Sequence, residues 1–150
     1  MNENQRKQGL FQLFNEVGII YQLATTIFNR RLPDGLHISH FSVINHMCRL
    51  GDGCTPLALA NAFQVTKATM TNTLNKLSAR KFIEIRPNPE DGRSKLVYLT
   101  KAGRDFSEIA VQGLAPTLEQ LDKDLDLEEL LKILPQLRTL REYLDTHREE

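Results

Sequence analysis

Two short helix signals lie almost back to back in the middle of the chain, and their spacing limits the fold more than any other feature. Thr55-Pro56 combines a helix cap with a first-turn proline, and Leu57, Leu59, Ala60 and Phe63 supply the apolar side of a short helix. Thr66 then caps a second helix in which Met70, Leu74 and Leu77 form a narrow stripe at i, i+4 and i+7. Lys67, Thr69, Thr71, Asn72, Asn75 and Lys76 face away from that stripe. Two helices joined by so tight a turn predict a helix-turn-helix. Behind it, Phe82–Arg86 and Lys95–Leu99 have strand composition, and Pro87–Ser94 between them is rich in turn formers. A β-hairpin with a charged tip therefore follows the helix pair, which is the order of a winged helix.

Long helices are expected at the two ends of the chain. Leu10, Phe14, Val17, Tyr21, Ala24 and Phe28 lie on one helix face and Leu13, Ile20 and Ile27 on a second, so this helix is buried against more than one partner. Pro33-Asp34-Gly35 is a turn signal that ends it. The next helix is predicted from Ser39, as its cap, to Leu50, with Phe41, Ile44, Met47 and Cys48 inward. Thr100 caps a helix carrying Phe106, Ile109, Ala110, Leu114 and Leu118, and a last helix starts after Asp126 with Glu129 at the capping-box position. Pro116 and Pro135 fall inside these two helices and predict kinks. The expected architecture is a single domain over residues 1–150, mainly α with a small β-hairpin wing (α+β). Residues 39–100 make the winged helix-turn-helix lobe, and helices over 8–32 and 101–147 make a second lobe.

A formal net charge of zero argues against a polyanion partner only if the charge is evenly spread. It is not. Residues 64–104 hold nine basic side chains against three acidic ones, whereas residues 105–150 hold five against twelve. A basic module flanked by acid lets one face engage phosphates. Apolar residues at 41% and charged residues at 25% fit a folded globular chain rather than a disordered or fibrous one. No apolar stretch approaches the roughly 18 residues of a membrane span. The opening MNENQRKQG lacks the apolar core of a signal peptide, so no membrane partner and a cytoplasmic location are expected.

The second helix of a helix-turn-helix enters the major groove of DNA, where each base pair presents its own donor and acceptor pattern. Asn72 and Asn75 can pair bidentately with adenine, Thr69 and Thr71 can meet a base edge or a thymine methyl, and Lys67 and Lys76 can reach phosphate or guanine. Threonine and asparagine are poor helix formers, so a surface helix under no other demand would rarely collect so many. In the hairpin, Asp91 can pair with Arg93 and hold the guanidinium in a fixed direction. An arginine presented this way fits a narrow minor groove. Ser94 beside it, and Arg86 and Lys95 at the base of the hairpin, complete the candidate DNA-binding set.

The segment Asp91-Gly92-Arg93-Ser94-Lys95-Leu96-Val97-Tyr98-Leu99-Thr100-Lys101-Ala102-Gly103 resembles the wing signature of the MarR family of bacterial winged-helix transcription regulators. Asp91, Arg93, Leu99, Thr100 and Gly103 carry the match, and the order of elements extends it over essentially the whole chain. The resemblance implies a homodimer whose interface is built from the first and the last two helices. It also implies a regulator, usually a repressor, on pseudo-palindromic double-stranded DNA, with recognition helices in successive major grooves and wings in the minor groove. A small aromatic or phenolic effector often binds between the two lobes, and by this analogy His37 and His40, near their junction, are candidate effector-binding residues. Two positions depart from the pattern. Ala79-Arg80-Lys81-Phe82 lacks the glycine that usually follows the recognition helix, which predicts strain at Lys81, and Asn72 stands where an arginine is common.

Cys48 and Cys54 are too few for a disulfide scaffold and are expected as reduced thiols. His37, His40 and His46 lack acidic or thiol partners at ligand spacing, so neither a metal nor a cofactor is expected. There is no nucleophile elbow, phosphate-cradling glycine loop or His-Glu-x-x-His, which argues against an enzyme. The alternative is a winged-helix protein–protein adaptor without specific DNA binding. The basic hairpin and the Thr/Asn face favour DNA.

Overall fold

The computed structural model describes residues 1–33 and 35–147, which form two compact units, one spanning Met1–Gly113 and one beginning at Leu114. The first unit contains α1 (Glu3–Asn29), α2 (Ile38–Leu50), α3 (Pro56–Ala62), α4 (Lys67–Ala79), β1 (Ile83–Pro87), β2 (Lys95–Leu99) and α5 (Lys101–Gln112). The second contains α6 (Ala115–Asp124), α7 (Leu127–Leu131) and α8 (Leu134–Thr146). This is the expected mainly helical winged helix-turn-helix with one antiparallel hairpin.

Local chemistry sets the helix starts. Thr55 Oγ1 accepts the Ala58 N–H, Thr66 Oγ1 the Thr69 N–H, Thr100 Oγ1 the Gly103 N–H and Asp126 Oδ1 the Glu129 N–H, all at 3.0–3.1 Å. Each satisfies a donor that the helix itself leaves orphaned. The α4 stripe of Met70, Leu74 and Leu77 is buried, together with Val43, Ile44 and Met47 of α2, Leu59 and Ala60 of α3, Ile83 of β1 and Val97 of β2. Burying each large side chain of this set contributes roughly 1.5–3 kcal/mol. The result is one core that fixes the helix pair to the hairpin.

β1 pairs with β2 from Ile83↔Leu99 to Pro87↔Lys95. The strand begins one residue later than expected, because the Phe82 N–H is used to close α4 on Leu77 O at 3.0 Å. The α2–α3 loop is stitched to β2. Val97 N donates to Cys54 O at 2.9 Å and Gly53 N to Val97 O at 2.8 Å. Asp52 Oδ2 accepts both the Leu99 N–H and Arg104 Nη2 at 3.0 Å.

Several local expectations are corrected. The cap of α2 is His37, in extended backbone, and not Ser39. The helix starts early because Asn29 Oδ1, from the last residue of α1, accepts the Ile38 N–H at 2.7 Å. Cys48 is exposed rather than inward, as are Arg49 and Leu50 after it in the last turn of α2. Pro116 and Pro135 do not kink continuous helices. Each lies in the first turn of a new one, α6 or α8, where its missing N–H costs nothing. α1 starts at Glu3, because Asn2 and Gln5 form a reciprocal capping box.

Candidate nucleic-acid interface

The outward face of α4 carries the residues predicted for it. Lys67, Thr69, Thr71, Asn72, Asn75 and Lys76 are all exposed. Thr71 Oγ1 donates to Lys67 O at 2.8 Å and Thr73 Oγ1 to Thr69 O at 3.1 Å, so these hydroxyls are tied to the helix backbone. Thr71 then offers a methyl and a remaining lone pair outward, whereas Thr69 Oγ1 is engaged by Thr66 Oγ1 at 2.9 Å. The Asn72 and Asn75 carboxamides make no hydrogen bond among the described residues, which leaves donor and acceptor available for a base edge.

The wing tip is built by short polar side chains. Asn88 N donates to Ser94 O at 3.1 Å, Asn88 Nδ2 to Ser94 Oγ at 2.8 Å, and Ser94 N to Asp91 O at 2.9 Å. Ser94 therefore closes the tip with its hydroxyl. Asp91 corrects a prediction: its Oδ1 accepts the Arg93 backbone N–H at 3.0 Å and makes no ion pair with the guanidinium. A one-carbon side chain reaches its own turn more readily than a distant guanidinium. Arg93 is left exposed and without an ion pair among the described residues, as are Lys67, Lys76 and Lys95.

Arg86 differs. Its Nη2 lies 2.7 Å from Glu84 Oε2 and its guanidinium sits 4.8 Å over the Tyr98 ring. The hydrogen bond to Glu84 raises its pKa, and the same bond fixes the side chain along the hairpin.

Helix and wing meet. Lys67 and Thr71 of α4 and Arg93, Ser94 and Lys95 of the wing line one cleft of about 380 Å³, closed on its third side by Thr55-Pro56-Leu57. Sequence reasoning treated Thr55-Pro56 as a cap alone, and nothing local signals its place beside the wing. A second cleft, of about 410 Å³, lies at the α1–α2 connection and is lined by Thr26, Asn29, Arg30, Leu32, Gly35 and His37, among others. His37 is thus on its wall, whereas His40 is buried, with Nδ1 accepting the His37 N–H at 3.0 Å.

Comparison with known proteins gives this geometry a family. A model described as the MarR family matches residues 34–94. The multiple antibiotic resistance protein MarR of Escherichia coli (strain K12) is 30% identical over an alignment of 139 positions, and the match spans 82% of this chain and 96% of that protein. The chain belongs to the MarR family. Among solved structures it is similar to apo MarR from E. coli, with a TM-score of 0.73 at 27% identity over 85% of this chain and 95% of that one. A mutant of the same MarR complexed with operator DNA gives 0.70 at 26% identity, over 88% and 95%. The transcriptional regulator BldR from Sulfolobus solfataricus gives 0.72 at 26% identity, over 93% and 99%. The MarR family is one of transcription regulators, not of enzymes. No helix among the described residues is long and apolar enough to cross a membrane.

Proposed function

We propose that the chain is a sequence-specific transcriptional repressor that binds pseudo-palindromic double-stranded DNA as a homodimer in the cytoplasm. The observation that carries this reading is the cleft shared by α4 and the wing, where Lys67, Arg93 and Lys95 hold cations unpaired among the described residues beside Thr71. Similarity to an operator-bound MarR structure supports it. In this reading residues 39–100 form the DNA-binding lobe, and helices over 8–32 and 101–147 form the dimerisation lobe. Asn72 and Asn75 read base edges, with Thr69 and Thr71 beside them. Lys67, Lys76, Arg86 and Lys95 meet the backbone, and Arg93 enters the minor groove from a tip that Ser94 closes. A small aromatic acid relieves binding from the α1–α2 cleft, where Arg30 faces its carboxylate, His37 forms the wall and His40 holds the helix end behind it.

Footprinting on DNA flanking the coding region, with and without salicylate, tests the whole reading. Arg93→Ala weakens binding to all sequences and lowers the salt slope by about one unit, whereas Asn72→Ala costs about 1–3 kcal/mol only at the base pairs it reads. An unchanged affinity and salt slope in Arg93→Ala would remove the wing from the interface.

A further inference from the structure

His40 is the one buried ionisable side chain among the described residues, 4% exposed, and it occupies the N3 position of α2. Its Nδ1 accepts the backbone N–H of the cap residue, His37, at 3.0 Å. An imidazole can accept there only while that nitrogen carries no proton. The ring does the work that glutamate or glutamine does in an ordinary capping box, with a group that titrates near neutrality.

The surroundings oppose a second proton. Burial lowers the His40 pKa most, followed by Lys76 of α4; the hydrogen bond with the His37 backbone acts the other way, and the charges of the cap residue His37 and of Arg80 lower it further. The positive end of the α2 dipole adds to this. α2 packs against α4, and Arg80, the C-cap of α4, reaches the connection before α2: a β-carbon on Gly35 would meet Arg80 Nη2 at 3.5 Å. The start of α2 and the end of α4 are thus one joint, with His40 inside it.

We propose that His40 makes this joint sensitive to protons. Neutral, it caps α2 and seats the end of α4; protonated, it leaves the cap, loosens that end and weakens DNA binding. The effect on DNA rests on the function proposed above, but the effect on the joint does not. A depressed folded-state pKa means that the stabilisation is complete above the ordinary value of about 6.5 and is lost as pH falls through the folded value. The expected loss of affinity is opposite in sign to the usual gain of a DNA-binding protein whose histidines charge.

His40→Gln separates the two roles, because glutamine at N3 still accepts the cap N–H and does not titrate. Amide protection factors and affinity for a duplex selected from random sequence are measured between about pH 7.5 and 5.5. In the wild type, protection in the first turn of α2 and the last turn of α4 falls on acidification, and affinity drops about fivefold or more. In His40→Gln both profiles are flat. His46→Gln, which removes the other histidine whose pKa burial depresses, keeps the wild-type response. Identical protection profiles in wild type and His40→Gln would overturn the proposal. So would an acid response that disappears with His46 instead. If no selected duplex is bound even near neutrality, the DNA-binding reading fails, while the protection factors still decide the role of His40.

Discussion

Lys81 holds a left-handed backbone, φ 59°, a conformation that glycine adopts without strain. The geometry follows from how α4 ends. Phe82 N reaches Leu77 O at 3.0 Å and Lys81 N reaches Ser78 O at 2.8 Å, the paired bonds of a Schellman motif, which needs a left-handed residue between helix and strand. Thr100 Oγ1 then donates to Lys81 O at 2.7 Å and ties the turn to the start of α5. An L-residue pays about 1–2 kcal/mol for this conformation, part of which glycine returns through its larger unfolded-state entropy. Lys81→Gly is therefore expected to raise stability by about 0.5–1 kcal/mol, seen as a higher urea midpoint at unchanged slope. A midpoint that stays put or falls would mean that the turn imposes no strain.

At the scale of elements, the wing depends on a close crossing. A β-carbon on Gly103, in the first turn of α5, would lie 2.1 Å from Phe82 O, which also accepts the Thr100 N–H at 3.1 Å. Phe82 and Phe106 stack across the same junction with ring centroids 4.6 Å apart. Gly103→Ala must push α5 off the start of β1 and is expected to cost about 3 kcal/mol, measured by thermal unfolding. A change within 0.5 kcal/mol, the range of ordinary surface substitutions, would refute the crossing as a constraint.

The contrast between these elements explains what was legible in the sequence. Caps such as Thr66 and Thr100, and the missing glycine at Lys81, are encoded within a few residues. The side that α4 leaves exposed follows from one stripe of three. Asp52, which braces Leu99 from 47 positions away, leaves no local trace. Asp91 was misjudged because its own backbone competes with Arg93's side chain for the carboxylate, and Pro116 and Pro135 because a proline inside a periodic run fits a kink or a fresh start equally well. Cys48 follows the apolar period but lies, with Arg49 and Leu50, at the exposed end of α2 after the buried Met47.

At the scale of the whole molecule, apolar surface is left without a partner in both units. α1 buries only Phe28, and Phe11, Ile20, Tyr21 and Leu23 are at least 60% exposed. None of α6, α7 and α8 buries a residue, although Leu118, Leu121, Leu130, Leu131, Leu134 and Leu144 recur along them. Helices gain most of their stability from packing an apolar face, so helices that leave so much of theirs exposed gain little by folding alone. A second copy supplies the cover in the proposed homodimer, and a stable interface of that kind buries about 1,200–2,000 Å² or more. Ile20→Asp places a charge in the middle of the α1 face, where burial without a counter-charge is costly. It is expected to shift the protein toward monomer at micromolar concentration in sedimentation equilibrium. The same change should weaken operator binding far more than its distance from α4 suggests, because half-sites about 10 base pairs apart are held tightly only by linked recognition helices. A dimer that survives Ile20→Asp intact would take α1 out of the interface. DNA binding that survives in a demonstrated monomer would instead show that one winged helix suffices, and would separate the dimerisation reading from the DNA-binding one.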